Sequence, residues 1–173
     1  VLVAPPVNFG CSPYFLDYPG TLSIRLETLT AIVEDVIRAL YGFGFRRVLL
    51  LNGHGGNTAA KVKMFELCNA LPGLRFHWYE WWEANRVVSL FQKHNLKGSH
   101  ASWMENFPFT KVAEVPSGAK TPVETPVLGD AALTRIQDGD GNLGGHYEAE
   151  PSVMDEIFQT ALEDILDYLN FGE

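Results

Sequence analysis

From Ile24 onward the apolar positions Leu26, Leu29, Ile32, Val33, Val36, Ile37 and Leu40 fall three or four residues apart, the spacing of a helix with one buried face. Gly42 and Gly44 are placed to end it. The pattern then changes. Val48-Leu49-Leu50-Leu51 is continuous rather than periodic, as in a parallel strand covered on both faces. Asn52-Gly53-His54-Gly55-Gly56-Asn57 breaks that run with a tight turn, and Asn57 is expected to cap a helix through Met64, Phe65 and Cys68 that stops at Leu71-Pro72-Gly73. Leu74 to Tyr79 reads as the next strand, Ala84 to Lys93 as a helix and Lys111 to Val115 as a further strand. At the start, Val1 to Ala4 reads as a short buried strand stopped by Pro5-Pro6, with a loop running on to Thr21. Residues 116 to 127, with Pro116, Pro122 and Pro126, read as an exposed loop, and a short helix begins near Asp130. Asp138 to Asn142 and Gly144-Gly145 read as turns. Ser152 and Asp155 then form a capping-box-like start to a helix whose stripe is Met154, Ile157, Phe158, Ala161, Leu162, Ile165, Leu166 and Leu169. Strands alternating with helices predict an α/β layered domain with a mostly parallel sheet and no internal repeat.

Composition narrows this picture. With 173 residues, 46% of them apolar, one globular domain with a sizeable core is expected rather than two. Thirteen basic against 21 acidic residues give a net charge of −8, which argues against a general polyanion-binding surface and so against nucleic acid as a partner. No apolar run approaches the roughly 18 to 20 residues that span a bilayer, so no membrane partner is expected. Cys11 and Cys68 lack CxxC spacing, which points to neither a disulfide scaffold nor a thiolate zinc site and leaves a reducing cytoplasm as the default compartment. The chain begins with Val1 rather than Met, from which either a removed leader or membership of a longer polypeptide is expected.

Candidate chemistry gathers in two places. Asn52 to Asn57 lies at the carboxyl end of a buried strand, where open α/β sheets place ligands, and its glycines present His54 as a metal ligand or general base. The same spacing suits a turn whose histidine only hydrogen-bonds a neighbouring loop. A phosphate cradle is disfavoured because the lysine and hydroxyl of GxxxxGK[ST] are absent. The second place is Gly98 to Asn106, where a helix from near Ala101 would put His100 at its amino-terminal mouth and Glu105 one turn inside. There the alternative is a capping His100 with Glu105 facing water. The aromatic knot of Trp78, Tyr79, Trp81 and Trp82 reads as core or as an oligomer interface. His77 and His94 read as structural, His146 stays open, and Asp138-Gly139-Asp140 reads as a plain turn because the spaced Glu of a calcium loop is missing.

Taken together, Tyr18-Pro19-Gly20-Thr21, Arg46 to Asn57 with its NGHGGN core, His100-Ala101-Ser102 with Glu105-Asn106, and Gly139 to Gly145 followed by an amphipathic helix resemble the creatininase (creatinine amidohydrolase) family over essentially the whole chain. The resemblance implies a three-layer α/β/α fold with a mostly parallel sheet, metal-dependent hydrolysis of a cyclic or linear small-molecule amide, and a homo-oligomer, hexameric in the family. It implies that His54 and Glu105 bind metal, that His100 does acid/base work, and that Asn52, Gly55, Gly56 and Trp103 contact substrate. The cofactors implied are divalent metal ions, zinc, manganese or iron, two in the complete protein. Gly56 stands where creatininase proper carries a glutamate, and Phe15 where the family commonly shows a histidine. The family's Glu-x-His pair and further Asp precede the segment that Val1 to Pro6 resembles. Residues 1–173 are therefore expected to be one creatininase-like domain lacking its amino-terminal strand and loop, empty or weakly loaded with metal when isolated. The rival expectation is a non-catalytic fragment or subunit that keeps the fold for assembly or binding.

Overall fold

A computed structural model describes residues 1–123 and 130–172, which form two compact units: Val1–Glu80 with Tyr168 onward, and Trp81–Asp167. The architecture is α/β. In the first unit, helix α1 (Leu26–Gly42) is followed by strand β1 (Arg47–Leu51), helix α2 (Lys61–Ala70) and strand β2 (Arg75–Tyr79). β1 and β2 pair in parallel from Arg47 opposite Arg75 to Leu51 opposite Tyr79. A parallel pair requires a crossover, and α2 supplies it. Leu29, Val33 and Ile37 repeat every fourth residue on α1 and bury against Met64 and Leu67 of α2, with Ala60, Leu71 and Leu74 completing the cluster. Each fully buried aliphatic side chain there contributes about 1.5–3 kcal/mol.

The second unit contains α3 (Asn85–Lys93), the two-residue antiparallel strands β3 (Ala119–Lys120) and β4 (Gly145–His146), α4 (Ala131–Asp138) and most of α5 (Pro151–Leu169). Its core joins Val87 of α3, Trp103, and Met154, Ile157 and Ala161 of α5. Trp81, Phe91, Phe107 and Trp103 meet edge to face at 5.1–6.2 Å between ring centres. Trp78 packs instead on the first unit's core and Trp81 on the second's, so the aromatic knot divides between two cores. Outside the core, Arg86 of α3 pairs with Glu163, Asp164 and Asp167 of α5, and His94 and Lys93 pair with Glu156. The Lys120 ammonium sits on the Asp138 carbonyl and, at 2.6 Å, on the Asp140 carboxylate, which also takes the Tyr147 hydroxyl at 2.6 Å.

Several expectations are corrected. Val1 to Ala4 is not a strand: its side chains are exposed, and the backbone pairing described in this stretch is a single bridge from Gly10 to Ser23. Lys111 to Val115 is irregular too, with Val112 exposed and Lys111 turned back by its N–H onto the Phe107 carbonyl. Both runs carry strand-forming residues, but among the described residues no strand lies beside either to complete a ladder. The exposed loop at 116 contains β3, and its residues 124–127 lie outside the described segments. The last helix starts at Pro151, so Ser152 falls inside the first turn rather than before it. No described helix is long and apolar enough to cross a membrane. Cys11 and Cys68 are free thiols.

Candidate functional site

Asn52 extends the β1–β2 ladder, its N–H donating to the Tyr79 carbonyl at 2.8 Å, and its buried side chain then folds the following turn. The Asn52 amide donates to the His54 carbonyl at 2.9 Å and to Glu80 Oε1 at 2.7 Å, while its oxygen accepts the Asn57 amide at 3.2 Å. His54 is thereby projected from the carboxyl end of β1 in extended conformation, and residues Gly55–Ala60 continue as a 3-10 turn before α2. Its Nε2 lies 2.6 Å from the Ser12 hydroxyl oxygen and 3.2 Å from the Cys11 carbonyl.

Gly56 allows this approach. A Cβ there would stand 2.0 Å from the Cys11 carbonyl oxygen and 2.7 Å from both His54 Nε2 and the Tyr14 hydroxyl, so the loop from Cys11 to Tyr14 fills the space a side chain would take. Asn57 does not cap α2 as expected. Its oxygen accepts the Cys11 N–H at 2.9 Å, pinning the same loop, and Ala60 is the residue at the helix boundary.

Sequence reasoning missed Glu80. It is 6% exposed and takes the Thr58 hydroxyl at 2.5 Å and the Asn52 amide on one oxygen. Burial pushes its carboxyl up, but the hydrogen bonds of Thr58 and Asn52 outweigh this, helped by the Trp78 indole and by Lys61, and hold it below the ordinary glutamate range. The indole's help is a polar attraction only, since its N–H makes no hydrogen bond of normal geometry. Glu80 directly follows Tyr79, the register partner of Leu51, so an acid one step past a strand end was the available signal. Ser12 gave no such signal, lying 42 residues from His54.

The second unit holds His100 and Glu105 together. Glu105 Oε1 is 3.4 Å from His100 Nδ1 and accepts the Ala101 N–H at 2.8 Å. Ala101 adopts φ +52°, a left-handed conformation uncommon outside glycine and asparagine. The expected helix from Ala101 is a single 3-10 turn, Trp103–Glu105, capped by Ser102, so His100 has no helix dipole to face. Trp103 is fully buried and its indole N–H donates to the Lys97 carbonyl at 3.0 Å, which makes it part of the second core. His77 packs at a tilt against Tyr168 and Phe171, His94 pairs with Glu156, and His146 lies in β4, exposed. The structure thus groups Asn52, His54, Gly55 and Gly56 in one unit and His100, Trp103 and Glu105 in the other.

The donor chemistry of the His54 turn suits a divalent ion: an imidazole at a strand end, held in place by a hydrogen-bonded network that engages its Nε2. Among the described residues no group of three or more His, Cys, Asp or Glu gathers as a complete metal cage.

Comparison with known proteins matches residues 1–169 to the creatininase family model, described as creatinine amidohydrolase. The creatinine amidohydrolase of Pseudomonas putida is 44% identical over 59 residues, 34% of this chain and 22% of that protein. The mycofactocin precursor peptide peptidase of Mycobacterium tuberculosis is 35% identical over 69 residues, 40% of this chain and 27% of that one. The 3-dehydro-scyllo-inosose hydrolase of Thermotoga maritima is 39% identical over 82 residues, 44% of this chain and 26% of that one. The matched stretches therefore span about a quarter of these relatives. A mutant creatininase complexed with creatine superposes with TM-score 0.63 at 21% identity, over 94% of this chain and 73% of its own. A manganese creatininase does so with TM-score 0.61 at 23% identity, over 90% and 68%.

Proposed function

The chain belongs to the creatininase family, and from that premise we propose that it serves a metal-dependent hydrolase of a small-molecule amide, cyclic or linear. Residues 1–173 are read as one creatininase-like domain of a cytoplasmic homo-oligomer. The observation that carries the reading is His54, presented at the carboxyl end of β1 on a turn tied down by Asn52 and, through it, by buried Glu80. Hydrolysis is supported by the matched relatives, a creatinine amidohydrolase, a peptide peptidase and an inosose hydrolase. A divalent ion is supported by the neighbouring creatininases, which are manganese and zinc forms.

When bound, the ion supplies the Lewis acidity that attack of water on an amide requires. His54 is the ligand on this chain's strand end, with Glu105 as a further candidate. His100 carries a proton toward the leaving nitrogen, and the Glu105 carboxylate on its Nδ1 orients the ring for that work. Asn52, Gly55 and Gly56 line the strand end where substrate is placed. Trp103 supports the His100 turn from the core side. Gly56, lacking the glutamate of creatininase proper, separates this chain's substrate from creatinine itself.

Metal analysis of this chain and of the longer polypeptide that the family pattern implies, each with and without His54→Ala, tests the reading. Metal and amidase activity are expected to fall with His54→Ala while the fold is retained, because the residue lies on a turn outside the apolar clusters. Stoichiometric metal and activity that survive the substitution would move the ligand set elsewhere, to His146 or Asp17 for instance. A second reading is a non-catalytic fragment or subunit that keeps the fold for assembly or binding. It is separated from the first by whether the upstream Glu-x-His and Asp are present in the polypeptide.

A further inference from the structure

We infer that Ser12 is the positioning residue of His54: with the Cys11 carbonyl it takes the hydrogen on Nε2, fixes the imidazole in the Nε2–H tautomer, and leaves Nδ1 as the atom that binds a divalent cation. The inference rests on the reading of His54 as a metal ligand and deepens it.

An amide oxygen only accepts, so the 3.2 Å contact between Cys11 O and His54 Nε2 is favourable when that nitrogen carries the hydrogen and repulsive when it carries a lone pair. The Ser12 hydroxyl, 2.6 Å from the same nitrogen, can rotate to accept as readily as to donate. Both oxygens are satisfied at once by a shared Nε2–H. A neutral imidazole has one ring hydrogen, so Nδ1 keeps its lone pair. The opposite arrangement, with Ser12 donating into Nε2 as a nucleophile would to a base, sets the carbonyl against a lone pair.

The loop that supplies these oxygens is fixed independently of His54. The Ser12 N–H donates to the Ser23 hydroxyl at 2.8 Å, the Cys11 N–H donates to the Asn57 amide oxygen at 2.9 Å, and the Ile24 N–H donates to the Gly10 carbonyl at 3.0 Å. Ser12 therefore meets the imidazole from a held backbone rather than following it. Gly56 completes the device, since any side chain at that position would occupy the place of the Cys11 carbonyl. Metal-ligating histidines commonly give their second nitrogen to a backbone carbonyl or another polar group, which fixes the tautomer, and loss of such a partner typically weakens metal binding 10–100-fold.

The test uses long-range 1H–15N spectra of the histidine rings in the full 173-residue chain, free of metal, at pH about 8, well above the ordinary histidine pKa of about 6.5. His54→Ala assigns the ring signals, and Zn2+ alone is then titrated. The expected result is a His54 ring in the Nε2–H form whose Nδ1 shifts on adding Zn2+. Ser12→Ala should give a mixture of tautomers and roughly 10–100-fold weaker Zn2+ binding at His54, with backbone amide spectra otherwise unchanged. Ser12→Thr, which keeps the hydroxyl, should restore both and covers a failure of the alanine variant to fold. An Nδ1–H ring in the unsubstituted chain, the signature of a nucleophile–base pair, overturns the inference, as does Ser12→Ala with unchanged tautomer and affinity. An Nε2–H ring that does not respond even to excess Zn2+ overturns Nδ1 as the cation-binding atom of this chain, while metal retained by the longer polypeptide after His54→Ala is what overturns the ligand role of His54 itself. Zn2+ binding at His54 without tautomer bias overturns the role of Ser12 alone.

Discussion

Gly56→Ala isolates the close approach between the NGHGGN turn and the loop from Cys11 to Tyr14. Its methyl carbon would begin 2.0 Å from the Cys11 carbonyl oxygen, whereas carbon–oxygen contacts settle at about 3.3 Å, so the loop must withdraw by about 1.3 Å. That displacement breaks the Ser12–His54 and Cys11–His54 contacts and strains Cys11 N–H to Asn57. Three partly exposed hydrogen bonds at about 1 kcal/mol each set a ceiling near 3 kcal/mol, and water reaching the freed groups reduces it to about 1–3 kcal/mol. The buried side chains from Leu29 to Met64 keep one another's contacts and only Cys11, at the margin of that cluster, moves with the loop, so the variant should fold. Urea unfolding reads the effect as a midpoint lowered by roughly 0.5–1.5 M for a slope of about 2 kcal/mol per M. Amide shifts should be confined to residues 10–24 and 52–57. Gly55→Ala is the control: nothing lies within 4 Å of its added Cβ, and a change within about 0.5 kcal/mol is expected. A neutral Gly56→Ala, with the Ser12 and His54 signals unmoved, would refute the claim that the loop occupies that space.

Two further outcomes are expected. Ile157→Ala empties a fully buried position between α3, α5 and Trp103 and should cost about 2–5 kcal/mol in urea unfolding, with tryptophan fluorescence reporting the change. Glu80→Gln should cost about 1–3 kcal/mol at neutral pH by weakening charge-assisted hydrogen bonds from Thr58 and Asn52. Because the folded carboxyl is held below the unfolded value of about 4.3, the native chain's margin over this variant should be constant above about pH 5. It should then shrink as pH falls from about 4.3 through the lower folded value, which unfolding at stepped pH measures. A margin that grows on acidification contradicts the assigned hydrogen bonding.

The elements that were legible in the sequence are those whose own side chains supply the partner surface. The α1 stripe of Leu29, Val33 and Ile37 and the α5 stripe of Met154, Ile157 and Ala161 both bury as their spacing implies, and Arg47–Leu51 and Arg75–Tyr79 are strands because each has the other beside it. Val1 to Ala4 and Lys111 to Val115 have strand composition but no such neighbour among the described residues, which local sequence does not report. At the candidate site the glycine turn announced His54. The residues that hold it come from far along the chain: Ser12 from a loop without periodicity, and Glu80 from the end of a different strand. Asn57 looked like a cap because capping and loop-pinning ask for the same short amide, and only the position of Cys11 decides between them.

The Lys120 ammonium lies on the turn from Asp138 to Asn142, whose Asp-Gly-Asp-Gly-Asn sequence is the kind that elsewhere wraps an ion. Here the positive charge is covalently attached. A tethered cation cannot be washed out by a chelator or outcompeted by magnesium, and it carries one charge where calcium carries two. Asp140, itself held by the Tyr147 hydroxyl, completes its seat, so the charge that shapes this turn travels with the chain.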